Sequence, residues 1–442
     1  MRIAIATLGC KINQYDSAVI QSRLEREQHS FVPFEDKADF YIINTCTVTD
    51  RADWEARQLI RRAKRMNPDG RVLVTGCYAQ VSPREVACLP EVDFVVGLNR
   101  LDDLLRFVGE PLEPRDEKIA VGNVKAERGI PVLGVRGLPD HTRAFLKIQE
   151  GCNYSCTYCI IPVARGRSRS VPPQEVLKQV HSLAEKGYVE IVLTGIHLGG
   201  YGRDLNPRGD LTFLVEKIVE SGLVPRLRLS SLDPREVPDR LLRTMAQSDI
   251  LCSHLHICAQ GGDDRILKQM RRNYDTSYYR ELIVKAREML PDAALGSDII
   301  VGFPGETEDD FDRSLEYFDS LPLTYFHVFP YSVRAGTVAA ELSDQLPTGL
   351  KKDRARRMRD LGAKKKGDFY RRFIGQRVRV LIEQALDGSS DLHRGYSRNY
   401  LPLLVQCDRG MINREVEVMV EGLENGWLIA RMKDEAGRFR TE

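Results

Sequence analysis

The sequence predicts a three-domain α/β protein. Three patterns carry that expectation: apolar runs alternating with amphipathic helices over the first 110 or so residues, six further strand–helix units after residue 140, and short alternating segments after residue 372. At 442 residues the chain exceeds the roughly 250–300 that one hydrophobic core serves, so several cores are expected.

In residues 1–112 the runs RIAIATLGC, FYIINTC and VLVTGC alternate with helical segments at 16 to about 28, 52–66 and near Pro83. Fully apolar strands between helices imply a parallel sheet covered on both faces, a doubly wound domain. Residues 113–137 carry Pro and Gly without sustained periodicity and are expected to be a linker. Strands are then expected at 144–149, 190–194, 226–230, 254–257, 297–302 and 325–329, within a domain spanning 138–370. Six such units predict an open, partial (β/α)6 barrel, whose chemistry lies at the carboxyl ends of its strands. Residues 351–372 hold eleven Lys or Arg against three Asp and predict a basic helix. From 371 to 442, short alternating segments separated by turns predict a small antiparallel β-barrel.

Composition narrows the class. With 42% hydrophobic and 29% charged residues the chain is too apolar for disorder. No apolar run approaches the roughly 20 residues of a membrane span, so no membrane partner is expected. The start MRIAIATLGC lacks a signal peptide's apolar stretch and cleavage site, which predicts a cytoplasmic protein. A net charge of +2 identifies no partner. Ten cysteines in a reducing compartment favour metal or redox chemistry over disulfides.

Their spacing is informative. Cys152, Cys156 and Cys159 form a C-x3-C-x2-C cluster just after the strand FLKIQ. Three thiolates on one loop suit three irons of a [4Fe-4S] cluster and leave the fourth iron open to a small molecule. A zinc knuckle would want a fourth Cys or His at short spacing, and the remaining alternative is three thiols packed as small hydrophobes. Cys10, Cys46 and Cys77 are far apart in sequence, yet each ends an expected strand of the first domain. Parallel strands deliver their carboxyl ends to one sheet edge, so these thiols should converge on a second open cluster, with buried unpaired thiols as the alternative. Cys88, Cys252, Cys258 and Cys407 have no cluster spacing and are expected to pack.

The C-x3-C-x2-C loop after the first strand of a six-unit partial barrel resembles the radical S-adenosylmethionine (SAM) superfamily. With Gly9-Cys10, Asn44-Thr45-Cys46 and Gly76-Cys77 upstream and a small barrel downstream, nearly the entire chain resembles the methylthiotransferases. The segments Leu8 to Gln14, Asn44 to Thr49, Gly76 to Gln80, Gly151 to Pro162, Leu193 to Gly199 and Arg228 to Pro234 are similar to the branch acting on N6-threonylcarbamoyladenosine in tRNA. The isopentenyladenosine branch usually reads GCQMN, NTCSIR and GCMAQ at the first three, and the ribosomal-protein branch differs again. One stretch departs from the family: His254 to Asp263 places Cys258 where a Pro is usual, and Val163 stands where Tyr is common.

The resemblance implies two [4Fe-4S] clusters, on Cys152/Cys156/Cys159 and on Cys10/Cys46/Cys77, with SAM both as radical source and as methyl donor. It implies that SAM's amino and carboxylate groups chelate the open iron of the first cluster, and that sulfur is held and methylated at the second. A reducing electron donor and a sulfur donor are then needed. For SAM contacts it points to Tyr158, Thr194, Gly195, Ser230, Gln260, Gly302, Gly305 and Arg334. For Tyr158 a packing role stands beside the adenine contact, and for Gly302-Phe303-Pro304-Gly305-Glu306 a plain β-to-α turn stands beside the adenosine contact. His393 to Tyr400 looks like the turn and strand of a TRAM domain, an OB-like RNA-binding barrel, against the alternative of an ordinary hairpin. The anticodon stem-loop of tRNA is the implied partner. Phosphate contacts would suit Arg165, Arg167 and Arg169 and the basic helix, although charge runs are usually solvated faces. The alternatives are the same chemistry on isopentenyladenosine or a ribosomal protein, or a non-catalytic iron–sulfur RNA-binding sensor.

Overall fold

The computed structural model describes residues 1–110, 117–131, 142–386 and 391–432. The expected domain borders at 112/113 and 137/138 lie outside the described residues.

Six parallel strands form the first sheet, in the spatial order Ser30–Phe31, Arg2–Thr7, Phe40–Thr45, Arg71–Gly76, Phe94–Val96, Ile119–Ala120. Side-chain alternation divides its core into two. Tyr41, Ile43, Val72 and Val74 pack beneath helix Asp50–Met66, whereas Phe40, Ile42 and Leu73 pack on the other face with Phe107 of helix Leu101–Gly109. Part of the expected linker thus belongs to this domain, since Ile119 and Ala120 pair with Val95 and Val96. A two-residue edge strand is too short to show periodicity, which hid it in the sequence. The first helix spans Lys11–Arg26 and starts directly at the cysteine, earlier than expected.

The central domain opens with strands Arg143–Glu150, Glu190–Gly195 and Arg226–Leu229 in one parallel arc and continues with His254–His256, Ala294–Val301 and Tyr325–Pro330 in a second. Parallel bridges Leu227–Leu251 and Leu232–Ile257 join the arcs. Strand Arg143–Glu150 does not pair with Tyr325–Pro330, so the barrel is open on one side. Helix Lys11–Arg26 of the first domain packs against the opening strand. One continuous core, including Leu146, Leu193, Ile218, Leu227, Ile283 and Ile299, lies between the strands and the outer helices.

The basic helix is present over Thr348–Arg371, but much of its charge is spent inside the molecule. Arg354 is buried against Glu306 (2.7 Å), and Arg357 pairs with Glu308 and Asp312 at 2.5 Å each. The acidic partners lie on helix Glu308–Ser320 or just before it, remote in sequence, so the segment reads as a free basic run only in one dimension.

Strands Arg377–Ala385, Leu392–Ser397, Pro402–Gln406, Trp427–Met432 and Glu415–Glu424 close a barrel in that order. The pairing is antiparallel as expected, except for the parallel pair Pro402–Gln406 and Trp427–Met432. A closed ring with an odd number of strands cannot alternate direction all round, so one parallel pair is obligatory. Among the described residues, no helix is long and apolar enough to cross a membrane.

Candidate functional site

Cys10, Cys46 and Cys77 directly follow, or follow closely, three neighbouring strands, Arg2–Thr7, Phe40–Thr45 and Arg71–Gly76. Gly76 sits at φ +95°, and a Cβ there would lie 2.3 Å from the Thr45 carbonyl oxygen. Only glycine fits such a turn, which swings Cys77 back towards the strand beside it. Asn13 braces the loops: its Nδ2 donates to the carbonyls of Leu8 (3.0 Å) and Thr45 (2.9 Å). Burial pushes the Cys46 thiol up to about 12, and its neighbours Cys77 and Cys10 push the same way. Cys77 is raised too, by burial first, although Arg165 opposes it. Two buried thiols whose ionisation is disfavoured, with the exposed Cys10 beside them, fit a cluster of iron ions, whose positive charge would reverse that balance.

Cys152, Cys156 and Cys159 lie on the loop after Arg143–Glu150. Gly151 begins it at φ +71°, with space for a Cβ closed by the Arg167 carbonyl at 2.1 Å. The Tyr154 N–H donates to the Cys152 sulfur at 3.4 Å, and Arg272 Nη1 donates to the Cys156 sulfur at 3.1 Å. Burial raises the Cys159 thiol to about 12, with Cys156 and Cys152 adding to it and the backbone of Ile161 opposing. Burial alone would lower His197, but hydrogen bonds donated by the imidazolium to Cys152 and Glu236 outweigh it and bring the imidazole to about 9. This loop also suits three irons, with cationic donors already aimed at its sulfurs.

Arg165 joins the first domain to the barrel and is 1% exposed. Its Nε donates to the Cys77 sulfur (3.3 Å), Nη1 to Asp16 and Glu150 (2.9 Å each) and Nη2 to Asn13 (2.7 Å). Lys147 completes the set, reaching Asp16 at 2.6 Å and Glu150 at 2.8 Å. Burial alone would raise the Glu150 carboxyl, yet Arg165 and Lys147 hold it down at about 2. Arg165 and Arg169 are thereby withdrawn from the phosphate contacts expected of them, because both are buried and Arg169 donates to the Arg165 carbonyl at 3.1 Å. Arg167 alone of the three is exposed.

The residues singled out for SAM divide. Thr194 and Gly195 close strand Glu190–Gly195, and Ser230 follows Arg226–Leu229 on the same rim. The Ser230 hydroxyl is buried without a hydrogen-bond partner among the described residues, an orphaned polar atom of the kind a polar ligand would satisfy. Gln260 is left-handed (φ +60°), with its N–H on the Asp298 carbonyl and its own carbonyl on the Ile300 N–H. The Gly302 N–H donates to the Glu306 carboxylate at 2.6 Å, and the Gly305 N–H to the Asp344 carbonyl at 2.8 Å. Tyr158 packs against the apolar cluster of Met270, Phe303 and Tyr331. Arg334 is engaged by the first domain: it reaches the Thr47 carbonyl (3.2 Å), Asp53 (2.6 Å) and Asp50.

The stretch that departs from the family pattern forms a polar wall. Tyr325 hydroxyl lies 2.7 Å from His254 and 3.1 Å from His256, while Asp298 takes His256 (2.9 Å), His327 (3.2 Å) and the Cys258 thiol (3.4 Å). Tyr400, at φ +63°, stacks beside it on His254 at 4.8 Å and beneath the Arg228 guanidinium at 4.8 Å. Below, a cavity of about 330 Å³ between the two barrels is lined by Tyr325, Tyr370, Tyr396, Tyr400, Trp427 and Lys366. The Lys11 side chain is half-buried and makes no hydrogen bond or ion pair with any described residue. Arg165, Arg272 and His197 were missed, since nothing local in sequence marks them as partners of the cysteines.

Comparison with known proteins agrees with this architecture. Residues 2–97 match a family described as "Uncharacterized protein family UPF0004", and residues 146–318 match the radical SAM superfamily. The chain is 40% identical over 95% of its length to the threonylcarbamoyladenosine tRNA methylthiotransferase MtaB of Bacillus subtilis, covering 93% of that protein. It is 41% identical to the protein of the same name from Aquifex aeolicus, over 86% of this chain and 93% of that one. A tRNA-2-methylthio-N(6)-dimethylallyladenosine synthase of Moorella thermoacetica is 32% identical over 97% of this chain and 98% of its own. Among solved structures, a radical S-adenosylmethionine methyltransferase from Kitasatospora setae shares the fold at a TM-score of 0.54 and 17% identity, covering 77% of each chain.

Proposed function

Because the chain belongs to the threonylcarbamoyladenosine tRNA methylthiotransferases, a branch of the radical SAM superfamily, we propose that it places a methylthio group on C2 of N6-threonylcarbamoyladenosine beside the tRNA anticodon. The observation that carries this reading is a pair of cysteine trios on two docked domains, with the buried Arg165 bonded both to Cys77 of the first domain and to Glu150, two residues ahead of Cys152. Cys152, Cys156 and Cys159 would hold one [4Fe-4S] cluster and Cys10, Cys46 and Cys77 the other. Once bound, the clusters and SAM supply radical chemistry at an unactivated carbon–hydrogen bond and a site for sulfur, work beyond acid–base side chains.

The protein's own residues do the rest. Arg272 and Arg165 each donate to a cysteine sulfur and fix the two loops against the barrel. The orphaned Ser230 hydroxyl and the backbone of Thr194, Gly195, Gln260, Gly302 and Gly305 line the rim where SAM would lie, with Tyr158 packed behind. Arg334 secures the first domain over that rim. An anticodon stem-loop would enter by the open side of the barrel, and the aromatic cavity beside the terminal barrel suits an unstacked base. The activity requires a reducing electron donor and a sulfur donor, and we place it in the cytoplasm, where thiols stay reduced.

Mass analysis of tRNA nucleosides from cells lacking the gene tests the reading. Loss of the 2-methylthio threonylcarbamoyl nucleoside is expected. Its persistence, or loss of the isopentenyl counterpart instead, overturns the substrate assignment.

A further inference from the structure

The geometry points to an RNA-binding face on the first domain, the crest of helix Asp50–Met66 that carries Trp54, Gln58, Arg61 and Arg65, with the tRNA backbone and one unstacked base as its occupant. This rests on tRNA as the substrate, and not on which of its adenosines is modified. The four positions are spaced i, i+4, i+7 and i+11, so at about 100° per residue they share an arc of about 60° and run about 16 Å along the helix. The opposite face is spent on the core, where Ala56, Ile60 and Ala63 are fully buried.

An exposed indole beside uncancelled charge separates this crest from an ordinary solvated face. Trp54 is 59% exposed, more than any other large apolar side chain among the described residues. An indole held in water is costly surface that a partner's flat apolar face would cover. The cations on both flanks of the crest are neutralised: Arg51 pairs with Glu55 at 2.7 Å, Arg57 with Glu85, Arg62 with Glu35 at 3.1 Å and Lys64 with Asp93 at 3.0 Å. Arg61 and Arg65 stand exposed between them, and neither makes a hydrogen bond, ion pair or ring contact with a described residue. No carboxylate lies on the crest itself. Its occupant must therefore bring negative charge at intervals together with a flat apolar surface. A polynucleotide brings both, phosphates to the guanidiniums and a base to the indole.

The fold sets this crest beside the cysteine edge of the sheet. The helix starts four residues after Cys46. Its Asp50 N–H donates to the Ser332 hydroxyl at 2.9 Å, and Arg334 holds Asp53 at 2.6 Å. The Trp54 end thus adjoins the junction of the first domain with the barrel, while Arg61 and Arg65 lead away from it. An RNA whose loop enters the barrel meets the indole first and the arginines next.

The test measures binding of full-length tRNA carrying N6-threonylcarbamoyladenosine to the reconstituted enzyme over a range of salt concentrations. Trp54→Ala should weaken binding about 5- to 150-fold, the value of one base–aromatic stack, and Trp54→Phe should keep most of the affinity. Arg61→Gln combined with Arg65→Gln should flatten the slope of log affinity against log salt by about 1.5, and the corresponding pair of lysine replacements should preserve it. Lys178→Gln, an exposed lysine on the outer helix Pro173–Glu185, measures the effect of losing a charge elsewhere on the surface. Iron content and SAM cleavage without RNA should match wild type in every variant. Unchanged affinity in Trp54→Ala, or a slope change in the arginine pair no larger than that of Lys178→Gln, overturns the face. Failure of wild type to bind the tRNA overturns the tRNA reading instead.

Discussion

Arg165 donates from Nε to the Cys77 sulfur at 3.3 Å, across the boundary between the central barrel and the first domain. The same guanidinium holds Asp16 of the first domain and Glu150 of the barrel, two residues ahead of Cys152. A single buried charge thus ties Cys77 and Asp16 of the first domain to the barrel strand that leads into Cys152. Domain docking and the assembly of the site are one event.

Replacing it should separate the two functions of the chain. Arg165→Leu leaves Asp16 and Glu150 with Lys147 alone in a buried setting, a loss of about 3–5 kcal/mol of docking stability. Limited proteolysis should then cut between the first domain and the barrel, and SAM cleavage without RNA modification should persist. Intact coupled activity in this variant would show that docking does not depend on the guanidinium.

The two trios should empty independently. Anaerobic reconstitution of wild type should give about eight irons per chain, and Cys152→Ala or Cys77→Ala about four each, if both sites carry four-iron clusters. Mössbauer spectroscopy distinguishes the surviving site, and only Cys77→Ala should still form 5′-deoxyadenosine. Zinc in either site would contradict the assignment.

Acid should detach the terminal barrel before it melts the core. Burial alone would raise Glu190, but Arg228 and Arg226 outweigh it and hold the carboxyl at about 2. A depressed carboxyl contributes stability that is complete above its unfolded value near 4.5 and is lost as the pH falls towards 2, at about 1.4 kcal/mol per pH unit. Glu190 orients the two arginines that donate to the carbonyls of Tyr396, Ser397 and Arg398. Denaturant titration between pH 5 and 3 should show this slope in wild type, and Glu190→Gln should flatten it.

The aromatic cavity between the barrels should contribute to RNA affinity without touching the metal sites. Trp427→Ala and Tyr396→Ala should each cost about 1–3 kcal/mol in stem-loop binding, the value of one base–aromatic stack. Iron content and SAM cleavage should match wild type. Equal binding by both variants would place the RNA elsewhere.

Much of this was written locally. The Cys152–Cys159 spacing needs one loop, and Cys10, Cys46 and Cys77 needed only the rule that parallel strands end on one edge, which the sheet order bears out. Strand ends fell within a few residues of expectation because continuous apolar runs bounded by helices leave little freedom. The run at 165–169 misled for the opposite reason: a string of arginines looks solvated until the fold supplies Asp16 and Glu150 from elsewhere.

By itself, then, the order of residues determined the elements, the two cysteine trios and the family of the protein, since all three depend on periodicity and spacing along the chain. Only the tertiary structure decided which charges cancel. Arg165 and Arg334 find carboxylates in the first domain and are spent on holding the domains together, and Arg354 finds Glu306 and Glu308 within the central domain. Charge pairing is a relation in space between groups that stand well apart along the chain, and a linear pattern holds no record of it.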